Sequence, residues 1–139
     1  MSQITEHLSE AEYFCRCGCG APPDYNSLDM PPAYDYLFDC FEKIREAWGK
    51  PIVVTSGYRC FKHNQAIGGT PLSAHLFGLA LDMACKDDEE VESLRNMVKA
   101  TCPDLRIGWQ SYADNLVHID NAFMVSPRPT KNFIEGVEW

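Results

Sequence analysis
The chain has no run approaching the roughly 18 apolar residues that a membrane span needs. Its best stretch, Leu76–Ala84, is cut by Gly78 and Asp82, so insertion into a bilayer is not expected. Positive charge is scarce as well: 12 Lys and Arg stand against 20 Asp and Glu, a formal net charge of −8. That balance argues against a general nucleic-acid coat protein or a basic membrane-surface protein, although local basic sites are compatible with it. The opening MSQITEHLSE lacks the positive n-region and apolar h-region of a secretory signal, and the expectation is synthesis in the cytoplasm without a signal peptide. Internal repeats and low-complexity tracts are absent, and 139 residues leave no room for two cores of ordinary size. With 45% hydrophobic, 12% aromatic and 23% charged residues, the composition suits one soluble globular domain over 1–139, expected to be a monomer.

Periodicity organises the chain into an α+β pattern. Residues 1–29 hold the cluster Cys15-Arg16-Cys17-Gly18-Cys19-Gly20 followed by Pro22, Pro23 and Asp24, loop chemistry that reads as an irregular lead-in. From Pro32 to Trp48 the apolar positions Leu37, Cys40, Phe41, Ile44 and Trp48 recur at helical steps, and Gly49-Lys50-Pro51 stops the helix. The β-branched Ile52–Thr55 reads as a buried strand that delivers Tyr58 and Arg59 beyond its end. A short helix over Phe61–Ile67, a loop over Thr70–Phe77 and a strand over Leu79–Cys85 follow. Asp87 or Asp88 caps a second long helix with Val91, Leu94, Met97 and Val98 on its apolar stripe, ended at Thr101-Cys102-Pro103. Strands over Leu105–Trp109 and Leu116–Ile119, joined by a polar hairpin-like loop, close the sheet, and a Pro-broken tail occupies 127–139. The expected architecture is a small antiparallel sheet with helices packed on one side, the sheet carrying the functional site.

Three good metal ligands, His75, Asp82 and His118, fall at element edges rather than on a solvated helix face. The seven-residue step from His75 to Asp82 is too long for a helix-face pair, so a loop–strand–strand site is needed to gather them. His118 lies mid-strand among β-branched neighbours, and Asp120 shares its face because side chains alternate with period two. Two His and one carboxylate leave zinc a fourth position for water, whose pKa falls to about 7, generating the nucleophile for amide hydrolysis. On ligand types alone, the competing reading is two structural histidines.

Taken in order, Ser56-Gly57-Tyr58-Arg59-Cys60-Phe61-Lys62-His63-Asn64, then Gly68-Gly69, Ser73-x-His75-x-x-Gly78-x-Ala80-x-Asp82 and Val117-His118-Ile119-Asp120 resemble the signature of the zinc D-Ala-D-Ala carboxypeptidase and L-alanyl-D-glutamate endopeptidase family. These are peptidoglycan metallopeptidases with a hedgehog-like zinc fold, and the resemblance runs over about residues 10–122. It implies one catalytic zinc held by His75, Asp82 and His118, Arg59 reaching a substrate carboxylate or carbonyl, and Ser73 contacting substrate or supporting the site. A planar guanidinium suits both the bidentate hold on a carboxylate and the stabilisation of a developing oxyanion. Better-known members place Glu or Asp three residues before the last His, where this chain has Asn115. An amide cannot accept a proton from water, which leaves Asp120 or Asp114 as base; Asp120 is favoured, with an orienting role on His118 as its competing reading.

The implied function is zinc-dependent hydrolysis of an amide bond in peptidoglycan stem or cross-link peptides, by a carboxypeptidase or endopeptidase acting on the wall after release as a phage-type lysin does. The alternative, which Asn115 strengthens, is an inactive zinc-binding module that holds wall peptide or a protein partner. Seven cysteines is an odd number, and Cys40, Cys60, Cys85 and Cys102 are scattered, so a disulfide framework is not compelling. At Cys15, Cys17 and Cys19, with Cys60 as a fourth residue, three readings stand side by side: free thiols, a disulfide from Cys15 or Cys17 to Cys60, and a second, structural zinc. A nucleic-acid module there would need a basic aromatic face, and only Arg16 supplies charge.

Overall fold
A computed structural model describes residues 2–17, 19, 21–23, 31–110, 114–125 and 130–139. Ten elements run in the order β1 (Gln3–Thr5), β2 (Leu8–Ser9), α1 (Glu10–Tyr13), α2 (Pro31–Trp48), β3 (Val53–Ser56), α3 (Phe61–Ala66), β4 (Ala80–Ala84), α4 (Asp88–Thr101), β5 (Arg106–Gly108) and β6 (Leu116–Asp120). Two 3-10 turns, Ala74–Phe77 and Ala122–Met124, flank β4 and β6 in sequence. The expected α+β class is observed: β1 and β2 form a small antiparallel ribbon, and a four-stranded antiparallel sheet has the order β3-β4-β6-β5.

Period-two alternation divides that sheet into two chemically different faces. Val54, Met83 and Val117 lie in one cross-strand row, and Leu81, Ile119 and Ile107 in the next. All six are buried in one core with Leu37, Phe41 and Ile44 of α2 and Val91, Leu94 and Val98 of α4. Both long helices therefore cover the same side of the sheet. The intervening positions make the opposite rows, Ser56–Asp82–His118–Gly108 and Ala80–Asp120–Arg106. Every charged or imidazole side chain in those rows is almost fully enclosed, so this second face is a polar interior.

The long elements follow the sequence reading closely. Asp87 is the cap of α4, its carboxylate accepting from Glu90 N at 2.8 Å. The proposed loop over Thr70–Phe77 contains the 3-10 turn, closed by Gly78 in the left-handed region at φ 73°. Part of the polar loop between β5 and β6 lies outside the described residues. The lead-in, in contrast, is not wholly irregular: β1, β2 and α1 occupy its first half. The two strands are too short to display alternation. The signal for α1 was available in Ser9-x-x-Glu12, which forms a full capping box. The described part of the Pro-broken tail is also ordered against the sheet, with Ile107 N donating to Val137 O at 2.9 Å and Trp139 N to Ile107 O at 2.9 Å. Arg95 of α4 grips Glu138 through Nε at 2.6 Å and Nη2 at 2.9 Å.

Tyr13 joins the lead-in to the polar face. It is fully buried, its hydroxyl donates to Gly78 O at 2.6 Å, and its carbonyl accepts from Tyr58 N at 2.7 Å. A Cβ at Gly57 would stand 2.6 Å from Tyr13 O, so only glycine permits this approach. Tyr13→Phe removes one buried hydrogen bond and leaves the Gly78 carbonyl short of its donor. The expected loss is about 1–3 kcal/mol in urea unfolding; an unchanged midpoint would show that this link does not hold the N-terminal segment.

Candidate metal centre and its cavity
Register alone sets two of the three expected ligands face to face, because Asp82 on β4 is directly opposite His118 on β6. His118 Nδ1 lies 2.8 Å from Asp82 Oδ1. The third comes from the 3-10 turn, which begins when Ser73 Oγ accepts from His75 N at 3.2 Å and ends at Gly78. This turn aims His75 Nε2 at the same oxygen, 3.2 Å away. Donor atoms of the three residues all lie within 4.8 Å of one another, and all three residues are buried.

Hydrogen bonding on the far side of each ring fixes which nitrogen faces the centre. His75 Nδ1 is 2.6 Å from the carbonyl of Gly57, which can only accept, so Nδ1 carries the hydrogen and Nε2 keeps a lone pair. His118 Nε2 is 2.7 Å from Asp120 Oδ2, which turns its Nδ1 inward in the same way. Two imidazole nitrogens and a carboxylate oxygen thus converge on one point, an arrangement that repels unless a proton or cation sits among them. A borderline-soft divalent ion such as zinc fits this N2O donor set, which leaves a fourth position for water or substrate.

The electrostatics without a metal agree. Burial opposes charge on His118, but hydrogen bonds to Asp120 and Asp82 outweigh it and push the imidazole up to about 9. Burial works against the Asp82 anion too, yet the two histidines hold its carboxyl well below the usual range. His75 moves the other way, lowered chiefly by burial against the pull of Asp82. One proton therefore stands in for the cation.

Asp120 does not sit over the ligand set. It is fully enclosed on the other side of the His118 ring, and its second oxygen accepts from Arg106 Nε at 2.9 Å and Ala122 N at 3.1 Å. With both oxygens committed, its geometry is that of an orienting carboxylate behind a metal-ligating histidine. Asp114 is exposed just before β6 and is not among the residues that line the cavity described next. Of the two base candidates, Asp120 meets His118 from behind its ring and is among the lining residues, whereas Asp114 is not.

The cavity, about 970 Å³, opens over the polar face between the 68–75 loop and the 130–139 tail, and His75 and His118 form part of its lining. Arg59 and Ser73 are also among the lining residues. Arg59 also supports the centre: Nη2 is 3.5 Å from Asp82 Oδ2, Nε donates to Ser56 Oγ at 3.1 Å, and Nη1 to Asn64 Oδ1 at 3.2 Å. Asn64 is buried and donates in turn to Thr70 O at 2.9 Å, tying the loop to Arg59. Two wall residues escaped the sequence reading. Arg106 stacks between the rings of Phe133 and Trp139, 4.8 Å from each centroid, and Trp139 lies 5.3 Å from the His118 ring. Arg106 carried a signal in its β-strand setting; Trp139 carried none, since its place depends on a contact far along the chain.

A family model described as peptidase M15 matches residues 6–120, most of the chain and all of the centre. The chain belongs to the peptidase M15 family. M15 members are zinc-dependent metallopeptidases, and this one presents the donor set that such an ion requires. No curated protein sequence matches the chain significantly.

Proton and metal compete for His118 Nδ1, which sets the sign of a pH effect. In the metal-free M15 chain the histidine has an ordinary value of 6.5 unfolded and about 9 folded. Its contribution to stability is fully present below pH 6.5 and disappears as pH rises through about 9. Thermal unfolding of chelator-treated protein should show that decline, and His118→Gln should flatten it; the same slope in the variant would refute the assignment. Asp120→Asn should weaken zinc binding about 10–100-fold by equilibrium competition with a chelating dye.

Proposed function
We propose that this chain is a zinc peptidase that hydrolyses an amide bond in the stem or cross-link peptides of peptidoglycan. The observation that carries this reading is the convergence of His75, Asp82 and His118 on one point, with His75 and His118 in the lining of a cavity whose wall also holds Arg59 and Arg106. Bound there, zinc supplies Lewis acidity that polarises a scissile carbonyl and lowers the pKa of water. The protein's own side chains supply placement. Gly57 O and Asp120 fix the two imidazoles, and Arg59 restrains the remaining oxygen of Asp82. The guanidiniums of Arg59 and Arg106, each set against a buried carboxylate, line the cavity with planar donors that suit a peptide carrying free carboxylates.

Asp120 acts in this reading as a positioning residue for His118. Asp114, exposed and outside the cavity lining, would have to reach in from there to accept the proton. Release from a phage-infected cell is the route by which a chain of this kind reaches the wall. A second reading, a zinc-bearing module that binds wall peptide without turnover, is favoured by one observation: among the described residues, the only carboxylate lining the cavity is that of Asp120, and it is already committed.

Digestion of purified peptidoglycan, with mass analysis of the released fragments and zinc quantitation on the same sample, separates the two. New peptide ends that vanish with chelator support the peptidase and name the bond. Full zinc content with no fragments supports the binding module. Arg59→Lys should lower kcat/KM about tenfold or more while leaving zinc content near wild type, because the planar fork is lost. Asp114→Asn should lower kcat with zinc retained; unchanged turnover removes Asp114 from the proton path.

A further inference from the structure
The peptidase reading makes no use of four cysteines that come together from distant parts of the chain. Cys17 Sγ is 3.5 Å from Cys15 Sγ, 3.1 Å from Cys19 Sγ and 3.5 Å from Cys60 Sγ. All four sulfurs lie within 4.8 Å of one another. Cys15, Cys17 and Cys19 follow one another at alternate positions, while Cys60 arrives from the start of α3, where its sulfur accepts from His63 N at 3.4 Å as the helix cap.

We propose that Cys15, Cys17, Cys19 and Cys60 form a second metal site, a closed tetrathiolate centre for zinc that is structural rather than catalytic. The spacing favours this over the other readings of the cluster. A tetrahedron of Zn–S bonds near 2.3 Å has sulfur–sulfur edges of about 3.8 Å, close to the separations seen here. Cys17 touches three other sulfurs at once. A disulfide consumes two sulfurs and leaves its neighbours unpartnered, whereas one metal ion satisfies all four.

Burial raises the Cys15 thiol in the metal-free chain, and backbone amides work against that penalty around the cluster. Cys60 N donates to Cys15 Sγ at 3.3 Å, and Ala21 N to Cys19 Sγ at 3.4 Å, so three of the four sulfurs accept a backbone amide, a bond that strengthens as sulfur gains negative charge. Zinc capture releases the thiol protons to solvent and leaves a centre of charge −2. Arg16, inside the motif, anchors the segment by donating to Val54 O at 2.8 Å. Four protein ligands leave no open position for water or substrate, which makes the role structural.

The consequence reaches the cavity. Cys60 directly follows Arg59, whose guanidinium restrains Asp82 and lines the cavity. A metal that joins the 15–19 segment to Cys60 would fix the backbone from which Arg59 extends.

The test uses the full chain produced with zinc and freed of loose metal, with metal counted by mass spectrometry. Wild type should hold two ions, Cys17→Ser one and His118→Ala one. In cobalt-exchanged protein, the near-ultraviolet thiolate-to-cobalt charge-transfer band should be present in wild type and in His118→Ala and absent from Cys17→Ser. A single ion in wild type that survives His118→Ala and is lost in Cys17→Ser would uphold this site while refuting the His75 centre. Absence of the charge-transfer band from native wild type would overturn the proposal, even if the cysteine variant fails to fold. Disulfides among the four cysteines in the zinc-loaded chain would overturn it equally.

Discussion
Asp82 places a full negative charge on a sheet position where water is nearly excluded, and the folded chain must answer that charge from several directions. Its Oδ1 faces two imidazole nitrogens and its Oδ2 faces the Arg59 guanidinium. A carboxylate buried this way costs several kcal/mol unless opposite charge and hydrogen bonds repay the desolvation. Each surrounding element is arranged accordingly. β6 pairs with β4 in the register that puts His118 opposite Asp82, and the 3-10 turn presents His75 only because Gly78 takes a left-handed conformation. Gly57 lets Tyr13 approach closely while its own carbonyl orients His75. The apolar face, packed against α2 and α4, keeps the strands rigid enough for these distances to persist.

Much of this was legible from residue order. The stripe at Leu37, Phe41 and Ile44 specifies which side of α2 is buried, and β-branched alternation specifies the central strands, because local periodicity reports burial directly. His75, Asp82 and His118 stand out as ligand types at element edges and through the family resemblance, and the structure brings their donor atoms within 4.8 Å of one another. Asp120 shows where such reasoning stops. Period two puts it on the face of His118, and that placement suits a base as well as an orienting carboxylate. The choice depends on which ring nitrogen turns inward and on Arg106, a cross-strand neighbour fixed by the register of β5 on β6. The strand that carries Arg106 is visible in the local pattern, but its entry into the cavity, like that of Trp139, depends on long-range pairing.

The charge distribution separates global from local electrostatics. A net charge of −8 describes the average field of the chain and argues against polyanionic partners. Within the cavity, however, two arginines are held at fixed positions, one by Ser56 and Asn64, the other by Asp120 and two aromatic rings. Their fields act in a partly enclosed space where screening is weaker than at the surface. An acidic protein can therefore hold fixed guanidiniums in a cavity, each set against a buried carboxylate, and the average charge says little about that local arrangement.

The Arg106–Asp120 pair is better explained by the histidine it serves than by stability. A buried ion pair is on average no better for folding than apolar residues of the same volume, because desolvation offsets most of the attraction. Two apolar residues at these positions would pack on Phe133 and Ala122 without that cost, yet they would leave His118 Nε2 without an acceptor. The ring could then turn, and Nδ1 would no longer be compelled to face Asp82. Asp120 supplies the acceptor; against burial, His118 first and Arg106 after it hold its carboxyl low, and Arg106 grips its second oxygen with a planar group clamped between aromatic faces. The row Ala80–Asp120–Arg106 thus converts an energetically neutral pair into a constraint on one imidazole, and the neighbouring row Ser56–Asp82–His118–Gly108 receives that constraint at the point where the donor atoms meet.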